Sequence, residues 1–348
     1  MNFIKNSVLV AFSILLSLVI LEVGVRVFQG GNFSFSTTME SFETKGKVRS
    51  HLRVDELLGW TLKENVSVPM WNGKLSTDEA GLRIVEGRPA APGKAFAVAV
   101  GCSATMGDEV GDEFTWPSYL AEKSGKKVVN AGVSGFGMDQ VYLRAEKILE
   151  KVQTEWIVLT IFPDSIYRAL HNRRFGVPKP VFRATTDGGL ELIPPRNQIE
   201  RARTLEILGY SHLASFLIKR LSAKSYLSLG DDVIDHNNHY AVSTGLTDKF
   251  MKLAEKHGAK LMVVYLNPPK EFDYVPQLLF HPPELNSDLQ YIKTKNLLFY
   301  DVKDDLLSEH NKNKEYVRSF YAPGWHFTAT GNSWFANQVY SKLIGTPS

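Results

Sequence analysis

Ser103 and His326 are the residues of this chain whose types and placement best suit covalent chemistry. Ser103 stands in Gly101-Cys102-Ser103-Ala104-Thr105-Met106-Gly107, immediately after the apolar run Ala95–Val100. A hydroxyl at the mouth of a buried strand, flanked by glycines, can be presented where ligands bind. It becomes a nucleophile when a neighbouring base takes its proton. The usual base is a histidine, and His326 lies in Gly324-Trp325-His326, just ahead of a helical pattern that closes the chain. The other reactive side chains offer less. His171, His212, His236, His239 and His281 have no metal-ligand spacing, so zinc is not expected. Cys102 is the single cysteine, which excludes an intramolecular disulfide and a CxxC site, and a small buried thiol is its expected state. No GxxxxGK[ST] phosphate loop is present. Arg168, Arg173, Arg174 and Arg183 cluster and could bind an anionic glycan or an acyl carrier, although a solvated face is the commoner use of such a cluster.

The elements that must position Ser103 and His326 read as alternating strands and helices. Ala95–Val100 is a continuous apolar run, as expected of a strand buried on both faces of a parallel sheet. Further strands are predicted at 127–130, 156–162, 261–266 and 297–300. Helices are predicted at 138–152, from about Thr247 to Gly258, and from about Thr330 to Leu343. This alternation predicts a parallel sheet covered on both faces, with ligands bound beyond the carboxyl ends of its strands. The loops after Val100, Asn130, Phe162 and Leu266 are therefore the ones to inspect. Trp116, Tyr119 and Phe136 near those ends could line a pocket, with core packing as the default, and Asn267-Pro268-Pro269 would shape its rim. Between 169 and 242 lies an insertion, read as a lid or side wall. It carries a hairpin turning at Asp187-Gly188 and an amphipathic helix from about Ser211 with Leu213, Phe216, Leu217 and Leu221 in register.

The 348 residues suffice for one large α/β domain, and a net charge of +3 gives no reason to expect nucleic acid as a partner. The segment Ser7–Leu21 is uncharged and continues through Glu22 and Arg26 to Phe28, approaching the roughly 20 residues that span a bilayer. No small-x-small cleavage site follows it, so an uncleaved signal anchor is expected over 1–28. Glu22 and Arg26 lie one turn apart and can pair. Lys5 favours a cytoplasmic amino terminus, which would put the remaining chain outside the cytoplasmic (inner) membrane. Residues 29–92 read as a stalk and lead-in, and 93–348 as the main domain.

The motifs, in order, resemble the SGNH (GDSL-like) hydrolase superfamily. Gly101-Cys102-Ser103-Ala104-Thr105-Met106-Gly107 is similar to the first block, whose serine is the nucleophile. Asn130-Ala131-Gly132-Val133-Ser134-Gly135-Phe136-Gly137 is similar to the second, with Gly135 matching the glycine whose N–H serves the oxyanion hole. Ile161-Phe162-Pro163-Asp164-Ser165 falls where the third block has Asn-Asp, and His326 matches the histidine of the last block. Leu58-Gly59-Trp60 and Gly81-Leu82-Arg83 are similar to lead-in motifs of membrane-anchored members. The resemblance implies a three-layer α/β/α sandwich around a parallel sheet of about five strands. It also implies a cofactor-free ester hydrolase or O-acyltransferase, acting on an acyl ester such as a glycan or lipid-linked one. Its site would comprise Ser103 and His326 with an oxyanion hole of Ser103, Gly135 and Asp164.

Three departures bear on that expectation. Cys102 replaces the first block's Asp. Asp164 replaces the third block's Asn, so it would have to be protonated to donate, or the hole works with fewer donors, or chemistry has been lost. Pro323 and Gly324 stand where the family places the Asp that orients the histidine, leaving Asp301, Asp304 and Asp305 as outside candidates or a Ser103–His326 dyad. A non-catalytic binding or assembly protein on the same fold is the rival expectation.

Overall fold

The computed structural model describes residues 2–28, 51–70, 72–86, 93–174, 177–195, 211–214, 217, 238–275 and 280–345. The chain divides into two compact units. The first comprises Met1–Ser50, Phe175–Pro178 and Arg196–Asp231. Its described part is dominated by helix α1 (Asn2–Phe28), which from Lys5 to Phe28 is long and apolar enough to cross a membrane. Near its end the Glu22 carboxylate accepts from Arg26 Nε at 2.7 Å, from Ser211 Oγ at 2.8 Å, and from the backbone N–H groups of His212 and Leu213 at 2.9 and 2.8 Å. The anticipated Glu22–Arg26 pair is thus formed. The stalk at 29–50 and most of the amphipathic helix expected from Ser211, including Phe216 and Leu221, lie outside the described residues.

The second unit, His51–Arg174 with Lys179–Pro195 and Asp232–Ser348, holds the α/β fold. Two antiparallel hairpins precede the sheet: β1 (Leu52–Asp55) with β2 (Gly59–Leu62), and β3 (Ser67–Met70) with β4 (Gly73–Ser76). The compact unit therefore reaches back to His51, ahead of the start at residue 93 read from sequence. The five-stranded sheet comprises β5 (Ala95–Val100), β6 (Val128–Asn130), β7 (Thr154–Ile161), β10 (Lys260–Tyr265) and β11 (Leu298–Asp301). Its spatial order is β11-β10-β7-β5-β6 and every pairing is parallel. All six residues of β5 are buried, the consequence of helices on both faces. All five anticipated strands are present.

Helix α2 (Ser103–Met106) is a single turn after β5. Helix α3 (Trp116–Ser124) starts where the Thr115 hydroxyl accepts from the Ser118 N–H and stops at Gly125 in the left-handed conformation. Helix α4 (Met138–Leu149) buries Val141, Tyr142 and Ala145, and α5 (Pro163–Arg168) follows β7 directly. In the insertion, β8 (Val181–Ala184) and β9 (Leu190–Ile193) form the anticipated hairpin, with Gly188 at positive φ in its turn. Helix α6 (His239–Lys256) begins earlier than its sequence pattern suggests; its first turns carry Ser and Thr, and Ser243 and His239 both contact buried Asp288. Last in the chain are α7 (Asn286–Lys293), α8 (Lys303–Lys312) and α9 (Ala329–Ile344). Helices α3 and α9 pack together through Trp116 against Phe335, edge to face at 5.4 Å.

Candidate active site

The carboxyl ends of β5, β7, β10 and β11 surround a cavity of about 290 Å³. Its walls include Ser103 from α2, Asp164 and Arg168 from α5, Arg174, Asn267 and Pro268 beyond β10, and Trp325, His326 and Phe327 ahead of α9. Leu266, Val302, Leu306 and Tyr321 supply an apolar side. Sequence positions as distant as Ser103 and His326 thus meet at one opening, at the sheet edge where the strand order predicts a ligand. Burial holds the Tyr321 phenol protonated, well above its ordinary range.

Ser103 begins α2, and Gly101 permits the tight exit from β5: a Cβ there would collide with Thr105 Oγ1 and Thr160 Oγ1, which hydrogen-bond each other. Cys102 is the N-cap of α2 but makes no side-chain capping bond. It is buried, and Ser103 Oγ donates to its Sγ at 3.9 Å, not to His326. Serine–histidine hydrogen bonds are often long or unformed before substrate binds, and a rotation about χ1 of Ser103 would redirect the hydroxyl.

The group that orients His326 is Glu109. His326 Nδ1 lies 3.2 Å from Glu109 Oε2, and the same carboxylate accepts from the Gly324 N–H at 3.0 Å and the His326 N–H at 3.4 Å. Glu109 has φ 72°, a left-handed conformation uncommon for a side-chain-bearing residue. That turn aims the Glu109 side chain from the loop after α2 towards the loop that carries His326. Gly324 makes room for it, because a Cβ at that position would overlap Glu109 Oε1. The glycine found where the family has an acid is thus the space into which a carboxylate from another loop reaches. Asp301, Asp304 and Asp305 do not contact His326: Asp301 caps the Lys303 N–H at 3.0 Å and Asp305 accepts from Tyr300 Oη at 2.7 Å. On the opposite edge of the ring, His326 Nε2 is 3.8 Å from buried Asp108 Oδ2, which accepts from Ser134 Oγ at 2.8 Å. Trp325 also has positive φ, at 71°, and is exposed at the rim. Two of the three described non-glycine residues in that region therefore flank the site.

The loop 131–137 lies against α2; a Cβ on Gly132 would strike the Met106 backbone nitrogen. Gly135 adopts φ 81°. Neither its N–H nor that of Ser103 has a hydrogen-bond partner among the described residues. Unpartnered buried N–H groups are rare, and two on adjacent loops suit an oxyanion. The lead-in braces both loops. Trp60 Nε1 donates to Ser134 O at 3.0 Å, and Arg144 joins Ala131 O to Thr61 Oγ1 and Gly81 O at 2.8, 2.6 and 2.8 Å. Burial lowers the Arg144 pKa to about 10, which leaves it charged at neutral pH. Arg83 ion-pairs with Asp112 at 3.0 Å, both fully buried, and donates to the carbonyls of Met106, Gly107 and Val110 at 2.7, 2.6 and 2.7 Å.

Asp164 is an acceptor. Arg168 Nε donates to its Oδ2 at 2.6 Å, and Arg174 Nη2 lies 3.6 Å from the same oxygen. The carboxylate standing where the resemblance places an amide is thus in contact with two guanidinium groups, and the oxygen they meet is an acceptor, not the donor that an amide would supply. Among the four clustered arginines, Arg168 and Arg174 line the cavity and Arg173 and Arg183 do not. Trp116 and Phe136 are core residues. No group of His, Cys, Asp and Glu suited to a metal ion occurs among the described residues.

No family model matches the sequence, and no curated protein is similar to it. Solved structures show a likeness. A G-D-S-L family lipolytic protein from Desulfitobacterium hafniense is 15% identical, with 72% of this chain and 99% of that one covered at a TM-score of 0.38. An acetylxylan esterase from Geobacillus stearothermophilus is 14% identical, with 75% and 96% covered at 0.37. A salicylyl acyltransferase from a tetracycline biosynthetic pathway is 11% identical, with 74% and 56% covered at 0.38.

Proposed function

We propose that this SGNH-type chain is a membrane-anchored serine ester hydrolase, acting outside the cytoplasm on an acyl or acetyl ester. The observation that carries this reading is that Ser103 and His326 line one cavity, with Glu109 behind the ring, against the nitrogen remote from the one that must serve Ser103. Glu109 holds the tautomer with the proton on Nδ1, so Nε2 is the free base. Ser103 Oγ attacks the ester carbonyl carbon as its proton passes to Nε2. The π pair of the C=O bond moves onto oxygen, and the N–H groups of Ser103 and Gly135, which have no partner among the described residues, receive it. Collapse restores the C=O bond and breaks the C–O bond to the alcohol, which leaves with the proton from Nε2. Water then repeats the sequence on the acyl-serine. A sugar hydroxyl in place of that water makes the same site an O-acyltransferase. Anchoring through α1 suits a glycan or lipid-linked ester held near the membrane.

The test is fluorophosphonate labelling and acetyl-ester turnover by the detergent-solubilised chain beside Ser103→Ala and His326→Ala. Labelling abolished in Ser103→Ala, and turnover reduced to background in both variants, is the expected result. Equal background in all three proteins, with no labelling of the wild type, would overturn the hydrolase reading. Binding or assembly would then be the remaining use of the fold, as the Ser103 hydroxyl turned towards Cys102 would suit.

A further inference from the structure

The oxyanion hole implied by the family resemblance lacks its side-chain donor, because Asp164 presents carboxylate oxygens where an amide would present N–H. A carboxylate beside a developing oxyanion repels it, so the site needs a compensating positive group. Arg168 stands one turn further along α5 and lines the same cavity as Ser103. Its guanidinium is 8% exposed on the residue average and is fixed from three sides. Nε and Nη2 meet Asp164 Oδ2 at 2.6 and 2.5 Å, and Nη1 donates to the carbonyl of Phe136 at 3.3 Å. The Phe162 ring lies 5.1 Å beneath it. Phe136 directly follows Gly135, so the group is tied to the loop that supplies the backbone oxyanion donor. Of the five N–H bonds of a guanidinium, these contacts use three; one on Nη1 and one on Nη2 have no partner among the described residues.

We propose that Arg168 is the third oxyanion donor, with Asp164 serving as the clamp that aims its guanidinium. The proposal rests on the ester-hydrolase reading and adds a catalytic residue to it. As Ser103 Oγ bonds to the carbonyl carbon and the π pair moves onto oxygen, the remaining guanidinium N–H groups take up the new charge; no proton is transferred to or from Arg168. Arg174, 3.6 Å from the same carboxylate oxygen, adds the second positive charge to this wall. Arg168, Arg174 and Asp164 together put one net positive charge on the wall of the cavity that Ser103 also lines. A charged donor fixed by two carboxylate contacts needs no reorganisation during the reaction, which is what makes such groups effective.

The test is an exchange of donors. Arg168→Met is expected to lower kcat by about 10²–10³-fold, the effect of removing one oxyanion donor, with KM altered little. Because Arg168 also holds the Phe136 carbonyl, that loss alone would not separate catalysis from loop support. The double variant Asp164→Asn/Arg168→Met puts an amide donor where the family has one, while leaving Phe136 without its partner. Recovery of kcat by tenfold or more over Arg168→Met, with equal thermal unfolding of the two variants, is the expected result. A double variant no faster than Arg168→Met would assign Arg168 to loop support and overturn the proposal, as would wild-type kcat in Arg168→Met. If the wild type neither turns over ester nor reacts with fluorophosphonate, the hydrolase reading fails first and this proposal with it.

Discussion

At the scale of single residues, the site is built around a carboxylate that has changed loops. Under the proposed ester-hydrolase reading, Glu109 does for His326 what an acid two or three positions before the histidine does in the family the motifs resemble. Glu109→Gln keeps the size and one acceptor oxygen, but loses the negative charge and turns the other of the two accepting oxygens into an NH2 donor. It is expected to lower kcat by about 10²–10⁴-fold with little change in KM, measured as steady-state ester turnover. Glu109→Asp, one methylene too short, should fall between the two. Ser103, Gly135 and His326 stand out as candidates in the sequence because each sits in a local motif with its own strand or helix. Glu109 could not, because its reach depends on a left-handed φ that the residue type disfavours. The signal is present only as a pair of facts: acidic Asp108-Glu109 directly after residues 101–107, and a glycine where the resemblance leads one to expect an acid. The loss of the amide at Asp164 was likewise legible. That Arg168 holds the carboxylate follows from spacing of four on one helix, a relation visible only once α5 is known to be a helix.

At the scale of elements, the segment before the sheet does more than connect. Its four-residue strands and partly exposed hairpins lack the long apolar runs that betrayed β5 and β7, so in sequence it passes for a stalk. Yet Trp60, Thr61 and Arg83 hold the two loops that carry Ser103 and Gly135. Arg83 is the strictest case, since its charge is fully buried and Asp112 is the carboxylate that neutralises it. Burial drives its pKa down and the Asp112 carboxylate opposes that shift. Arg83→Met leaves Asp112 as an uncompensated buried charge and releases three loop carbonyls. A loss of about 3–5 kcal/mol is expected, measured by urea unfolding of the two proteins. A loss within 0.5 kcal/mol would show that the loop carbonyls and Asp112 find other partners. Insertion elements are used in the same way: Lys179 reaches fully buried Asp139 at the start of α4, immediately after the loop that carries Gly135.

At the scale of the whole molecule, the contacts define where the compact α/β unit begins. A chain starting at residue 51 retains Trp60, Thr61 and Arg83, and should fold and turn over ester without α1. A chain starting at residue 93 loses all three braces and is expected to be insoluble or inactive, as judged by expression, circular dichroism and turnover. Equal activity of the two would show that the hairpins are dispensable. The sheet itself was foreseeable because burial on both faces imposes a pattern that needs no knowledge of partners; the interlocking of distant loops carries no such imprint. Trp325 gives the molecule a further property. Trp60, Trp116, Trp156 and Trp334 are 2%, 0%, 5% and 6% exposed, whereas Trp325 is 44% exposed at the cavity rim, and Trp71 lies outside the described residues. An indole held in that position is an optical gauge of what enters. Acrylamide should quench a component of the emission that Trp325→Phe abolishes, and any molecule seated in the cavity should shield it. Fluorescence titration can therefore rank candidate substrates before a single bond is known to break.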